Sequence, residues 1–397
     1  MEKIMEATQV IKASERLDGI GEYYFSTKLR EIDAMNQAGK AVINLGIGSP
    51  DLPPHPEVIR TLQEESARPG NHAYQSYKGS PVLRQAMAGW YQRVYAAALD
   101  PVSEILPLIG SKEGIMHICM AFLNTGDRVL IPDPGYPTYS SAVRLAGGIP
   151  VSYAVTSADA DEPDFAAIEG AGLSGVKLMF VNYPQMPTGQ QGNRELFEKI
   201  IAFAQKHALL VIHDNPYSFI LNDEPLSMLS IEGAKEYVLE LNSLSKSHNM
   251  AGWRIGMIGG NAVNIDTVLR FKSNMDSGMF LPLQLAAAKA LELGEEWHRD
   301  LNRVYAQRRA KAWQLLDLLG CSYKPGQAGL FIWAKCPDGY ADGYACSDDV
   351  LARANVFITP GGIFGERGKK FVRVSLCASE EKIDQAIARI ENAFKNK

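Results

Sequence analysis

At 397 residues the chain is too long for one ordinary domain and predicts two or three units, with ample length for a large core. Hydrophobic residues at 46% and charged residues at 21% argue for a globular protein and against disorder or coiled coil. A formal charge of −5 without a basic stripe argues against nucleic acid and anionic membrane as partners, and no apolar run approaches the ~18 residues of a membrane helix.

The N-terminus, Met1-Glu-Lys-Ile-Met-Glu6, lacks the apolar core of a signal peptide. Residues 1–45 read as polar and helical. Val42–Leu45 then leads into the turn-rich stretch Gly46-Ile-Gly-Ser-Pro-Asp-Leu-Pro-Pro54. From there to about residue 290, short apolar strands alternate with helical stretches. The candidate strands are 105–109, 128–131, 149–154, 177–182, 208–213, 237–242 and 255–259. Continuous apolar runs such as Leu178–Val181 and Leu209–Ile212 predict strands buried on both faces of a mainly parallel, seven-stranded sheet flanked by helices. Beyond 290, a charged helix (roughly 295–319), a strand at Gly329–Ala334, a Gly/Pro loop at 360–368, a strand at Phe371–Leu376 and a closing helix read as a smaller α+β unit. The expected division is a large domain over 51–290 and a small one built from 1–50 and 291–397. Five cysteines, an odd number with no Cys-x-x-Cys pair, indicate neither a disulfide framework nor a zinc site. The expectation is a reduced, cytoplasmic α/β protein without a metal.

Open α/β sheets bind ligands beyond the carboxyl ends of their strands, and the residues of chemical interest fall there. Ser111 and Lys112 follow the strand ending at Ile109 and open an apolar helix, so Ser111 is either a plain N-cap or part of an anion site. Tyr136, in Asp133-Pro-Gly-Tyr136, either fills a loop corner or stacks on a flat ring. Asp214, at the end of a buried strand, needs a partner: a salt bridge, a cap, or the protonated nitrogen of a heteroaromatic ring. His213 alternates to the other face and reads as a core histidine. Lys246 lies in Ser243-Leu-Ser-Lys-Ser-His-Asn-Met-Ala-Gly-Trp-Arg254-Ile-Gly256, where Ser243 and Arg254 could both bind one phosphate. Arg373, in Phe371-Val-Arg-Val-Ser-Leu376, faces inward on a strand and answers either an internal acid or a substrate carboxylate.

Together these residues resemble the class I/II aminotransferases, the fold-type I pyridoxal-phosphate enzymes. The resemblance covers nearly the whole chain, and Ser243–Gly256 fits the family's lysine signature at every defined position. It implies that Lys246 is the Schiff-base lysine and proton carrier, that Asp214 pairs with the pyridine nitrogen, and that Tyr217 bonds the ring's phenolic oxygen. Tyr136 would stack on the ring. Backbone N–H groups of Ser111 and Lys112, with the side chains of Ser243 and Arg254, would hold the phosphate. Tyr74 resembles the tyrosine that reaches the neighbouring subunit's phosphate, which implies at least a homodimer with an N-terminal arm lying on its partner. Gly48 and Arg373 resemble the two clamps on the substrate α-carboxylate.

The chain departs from the family at Asn182-Tyr-Pro-Gln-Met186-Pro-Thr-Gly189. Met186 stands where an asparagine amide usually sits beside the phenolic oxygen, and a thioether donates no hydrogen bond. Tyr139 stands where many relatives carry a histidine behind the aspartate. The implied reaction is ping-pong transamination between an L-amino acid and a 2-oxo acid. Lys112 inclines the substrate toward a dicarboxylic amino acid such as aspartate or glutamate, whereas Tyr23, Tyr24 and Phe25 suit an apolar or aromatic one. A lyase of the same fold and a non-enzymatic cofactor-binding regulator are the alternatives, the latter disfavoured by the absence of a winged-helix module or basic patch.

Overall fold

A computed structural model describes residues 11–22, 24–156 and 162–394, so the first ten residues of the expected N-terminal arm, and Tyr23, lie outside the described residues. The larger layer is a seven-stranded sheet. Its strands are β1 (Ile105–Leu108), β2 (Arg128–Asp133), β3 (Ile149–Ala154), β4 (Val176–Asn182), β5 (Leu210–Asp214), β6 (Val238–Ser243) and β7 (Gly256–Gly259). Their spatial order is β1-β7-β6-β5-β4-β2-β3. Only β7 runs antiparallel, to both β1 and β6; the other neighbours are parallel.

Hydrophobicity and burial agree along the middle strands. Every residue of β6 is buried, and β4 exposes only Lys177. Helices cover both faces, as a parallel sheet requires because its crossovers must pass over it. The parallel strands deliver their carboxyl ends to one edge. Asp133, Asn182, Asp214 and Ser243 all terminate strands there, and Asn182 lies directly across the ladder from Asp214.

Two longer strands, β8 (Phe331–Lys335) and β9 (Phe371–Ser375), form the centre of a second, four-stranded antiparallel sheet. Trp333 stands opposite Arg373 in it. The helix Glu295–Leu318 packs on the closing helix Glu380–Phe394 and on β8. A separate apolar core, with Leu316, Ile332, Val350, Val372 and Ile390 fully buried, fills this unit. The chain before the large sheet belongs to it in hydrogen bonding. Ile43–Asn44 pairs in parallel with Val356–Phe357, and Ser375 donates its N–H to the Leu45 carbonyl (2.7 Å).

That stitching carries residues 46–51 along the boundary of the two layers. Asp51 fixes the far end of the stretch: both carboxylate oxygens accept from Arg308 (2.6 and 3.0 Å), whose guanidinium also donates to the Leu376 carbonyl (3.0 Å). Arg308 is buried while the Asp51 side chain keeps 29% of its surface in water, so the bidentate pair is partly screened. Arg308→Ala strands the carboxylate and frees two backbone segments. The expected loss of unfolding free energy is about 2–3 kcal/mol, with a lowered midpoint in urea titration.

Candidate active site

A cavity of about 480 Å³ opens at the carboxyl edge of the large sheet and is closed from above by β8, β9 and residues 47–49. It collects Gly48, Ser111, Lys112, Tyr136, Met186 and Asp214 from the residues singled out in the sequence, and with them Tyr217, Ser243, Lys246, Arg254 and Arg373.

One end is built for an anion. Gly110 turns the chain from β1 into the helix Ser111–Phe122 with φ +82°, a left-handed conformation glycine adopts without strain. A Cβ there would also collide with the Arg254 guanidinium, so glycine leaves the room that lets the arginine lie over the helix N-terminus. Free N–H groups, the helix dipole and a guanidinium thus point into one place. Glu113 steadies the turn by accepting the Ile109 N–H (2.6 Å). Ser243 is an N-cap as well as a cavity residue: its hydroxyl accepts the Ser245 N–H (3.1 Å) and lies 2.9 Å from the Ser245 hydroxyl. Ser245 lines the same wall. The Ser-x-Ser-Lys spacing was the signal for it, since the short helix Leu244–Ser247 turns both hydroxyls and the lysine toward one side.

Opposite lies Asp214, 5% exposed. One carboxylate oxygen accepts the Tyr139 hydroxyl (2.7 Å); the other is buried with no hydrogen-bond partner. Burial pushes the carboxyl up to about 6 despite the Tyr139 bond. A bare buried carboxylate oxygen is costly, and a protonated ring nitrogen is a donor that would answer it. Tyr139 is held by stacking on Phe180 (centroids 4.8 Å apart, 15° between planes), and Tyr136 meets Tyr139 edge to face. Asn182 braces the same corner, donating to the Asp214 carbonyl (2.6 Å) and accepting the Met186 N–H (2.7 Å). An anion cup at one end, an orphaned acid at the other, an aromatic wall and a lysine between them fit pyridoxal phosphate.

Lys246 donates to the Gly48 carbonyl (2.6 Å). Burial lowers its pKa, with Arg373 and Arg254 contributing in the same direction and Cys377 opposing. The neutral, nucleophilic amine is therefore easier to reach than in a solvated lysine. A Cβ on Gly48 would run into Phe331, which explains why glycine lets residues 47–49 approach so closely. Arg373 lies between aromatic faces, its guanidinium carbon 3.8 Å from the Phe331 centroid and 4.6 Å from that of Phe364. It donates to the Gly46 carbonyl (2.8 Å) and to the Met186 sulfur (3.3 Å). Neither phenylalanine stood out in the sequence, because each looks like ordinary core until the strand and the Gly/Pro loop are folded together.

Other residues singled out in the sequence lie away from this cavity. Tyr74 lies outside this chain's own cavity and is 92% exposed. Tyr24, at the start of the helix Tyr24–Gln37, turns to Tyr344 (6.2 Å between centroids), and of that stretch only Phe25 faces the cavity among the described residues. His213 is a core residue, bonded to buried Glu240 (2.8 Å), and His248 packs on His298 away from the cavity. Among the described residues, Glu113, His117 and Asp276 bring ligand atoms together, yet the Lys272 ammonium already pairs with Asp276 (2.8 Å).

The Asp214 shift has a measurable sign. A carboxyl held above its ordinary 3.8 favours the folded state below that pH, and this contribution is lost as pH rises through about 6. Without cofactor, Asp214→Asn should be more stable than the parent above pH ~6, by up to about 3 kcal/mol, and the two should converge near pH 4 in thermal melts.

Comparison with known proteins agrees with this geometry. The sequence model of the family described as aminotransferase class I and II matches residues 40–390. The chain is 40% identical over 384 residues to an LL-diaminopimelate aminotransferase of Dehalococcoides mccartyi, covering 96% of this chain and 99% of that one. Among solved structures, substrate-bound BacF from Bacillus subtilis superposes with a TM-score of 0.91 at 34% identity, over 97% of this chain and 98% of the other. A probable N-succinyldiaminopimelate aminotransferase from Thermus thermophilus gives 0.85 at 33%, over 93% and 99%.

Proposed function

The chain belongs to the aminotransferases of class I and II, and we propose that it moves the α-amino group of a diaminopimelate-like L-amino acid to a 2-oxo acid, through a site shared by two subunits. The family depends on pyridoxal 5′-phosphate, which supplies an aldehyde for the substrate amine and an electron-withdrawing ring. The observation that carries the reading is the orphaned Asp214 oxygen facing a cavity that also holds Lys246 and the anion cup.

In this reading the N–H groups of Ser111 and Lys112, the Arg254 guanidinium and the Ser243 hydroxyl hold the phosphate. Asp214 keeps the ring nitrogen protonated, with Tyr139 fixing the carboxylate's orientation. Tyr217 donates to the phenolic oxygen and Tyr136 covers the ring. Arg373 and residue 48 grip the α-carboxylate and so present Cα to Lys246. The lysine amine, disposed by burial to be neutral, takes the Cα proton and returns it on the far side of the reacting bond, general acid–base work of ~10²–10⁴-fold. The aromatic lid of Phe25, Phe331 and Phe364 excludes water while that proton is in transit.

Two features support a long diacid. Lys112 lines the same cavity as Lys246, Arg254 and Arg373, and its ammonium adds a positive charge there that suits a second, distal carboxylate. Relatives over nearly the full length are named for diaminopimelate, a diacid longer than aspartate or glutamate. Half-reactions of the purified holoenzyme, followed by loss of the cofactor's absorbance, should rank LL-diaminopimelate above L-glutamate and L-aspartate. Lys112→Ala should raise KM for the diacid about tenfold while leaving L-phenylalanine unchanged. A preference for L-phenylalanine would instead favour the aromatic lining as the selector.

The shared site rests on Tyr74. With Tyr77, Met275 and Phe280 it forms an exposed apolar face, on two segments held together where Gly278 packs against the Gln75 and Ser76 carbonyls. Tyr74→Phe and Lys246→Ala should each be nearly inactive. Mixed and refolded together they should recover up to about a quarter of parental activity, because half of the molecules would be mixed dimers with one intact site. No recovery would confine each site to one chain.

A further inference from the structure

Met186 is the cavity residue whose chemistry is least expected. Its sulfur accepts from the Arg373 guanidinium at 3.3 Å, while a second nitrogen of that group is committed to the Gly46 carbonyl at 2.8 Å. Its own backbone is fixed, since its N–H is bonded to Asn182, which in turn holds the Asp214 carbonyl. The sulfur therefore sits where it does because the strand ends put it there. It shares that guanidinium with the rings of Phe331, Phe364 and Phe25.

We propose that Met186 is a positioning residue for Arg373: a weak acceptor that orients one guanidinium nitrogen and surrenders it to the incoming carboxylate. This rests on the reading of Arg373 as the carboxylate clamp. Aromatic faces and a thioether attract a guanidinium through polarisability and quadrupole and form no strong directed bond, so they hold its plane without satisfying its donors. A carboxylate arriving in the plane makes charge-assisted bonds of about twice the ordinary strength, and the sulfur gives up little.

Asparagine at 186 would behave differently. Its side-chain oxygen is as many bonds from Cα as the methionine sulfur, and facing a donor nitrogen it would be the oxygen that turned inward. That oxygen would hold the arginine through a charge-assisted bond the substrate must break. Methionine thus lowers the cost of engaging the carboxylate, and leaves the cofactor's phenolic oxygen without an amide donor from this position.

The experiment uses the holoenzyme and two unreactive probes, glutarate and its uncharged isostere glutaramide, with dissociation constants from calorimetry. Met186→Leu keeps the bulk and removes the acceptor. It should weaken glutarate roughly three- to tenfold, leave glutaramide within about twofold, and leave the pH midpoint of the cofactor's absorption unchanged. Met186→Asn should also weaken glutarate, and should lower that midpoint because a donor now reaches the phenolic oxygen. Unchanged glutarate binding in Met186→Leu, an equal loss for both probes, or tighter glutarate binding in Met186→Asn overturns the proposal. Arg373→Gln tests the underlying reading separately: if it leaves glutarate binding intact, the clamp assignment itself fails.

Discussion

The site is organised around one unsatisfied atom. Asp214 is buried deeply enough to raise its pKa, yet only one of its oxygens has a donor. Folding tolerates this because everything nearby is fixed by other bonds. Tyr139 is clamped by Phe180, Asn182 holds the Asp214 backbone, and the strand beneath is buried between helices. The protein thereby stores a local electrostatic deficit that a bound cation at the right place removes. That arrangement selects a protonated heteroaromatic nitrogen over a neutral ring of similar shape.

The remaining parts can be understood as answers to distance. The two sheets carry different halves of the site, with the acid, the lysine and the anion cup on the large sheet and Arg373 on the small one. The stretch from Leu45 to Asp51 is held to the small unit by Ser375 at one end and Arg308 at the other, and meets the large one where Lys246 donates to the Gly48 carbonyl. Arg373 itself is arranged by surfaces more than by bonds. Three aromatic rings and a sulfur hold a flat cation, and the Gly46 carbonyl fixes one of its nitrogens.

Much of this was legible in the chain because parallel sheets place ligand-binding residues at strand ends, and strand ends can be read from apolar runs. All seven strands of the large sheet lie where continuous hydrophobic segments predicted them, and Asp214, Ser243 and Lys246 follow from their distance past such runs. Phe331 and Phe364 were illegible for a physical reason. Their role depends on which face of β8 and of the 360–368 loop turns toward Arg373, and a periodicity of two cannot say which neighbour lies across a sheet. The direction of Tyr24 fails similarly, since adjacent residues at a helix start diverge by about 100° and sequence alone does not say which one faces inward.

The Lys246–Gly48 hydrogen bond couples two events usually treated as separate. A lysine nitrogen engaged in a covalent bond has fewer protons to give, and its direction is set by its new partner, so the Gly48 carbonyl must find water or another donor whenever the amine is occupied. The backbone crossing from one sheet to the other then loses an anchor at that moment and regains it when the amine is set free.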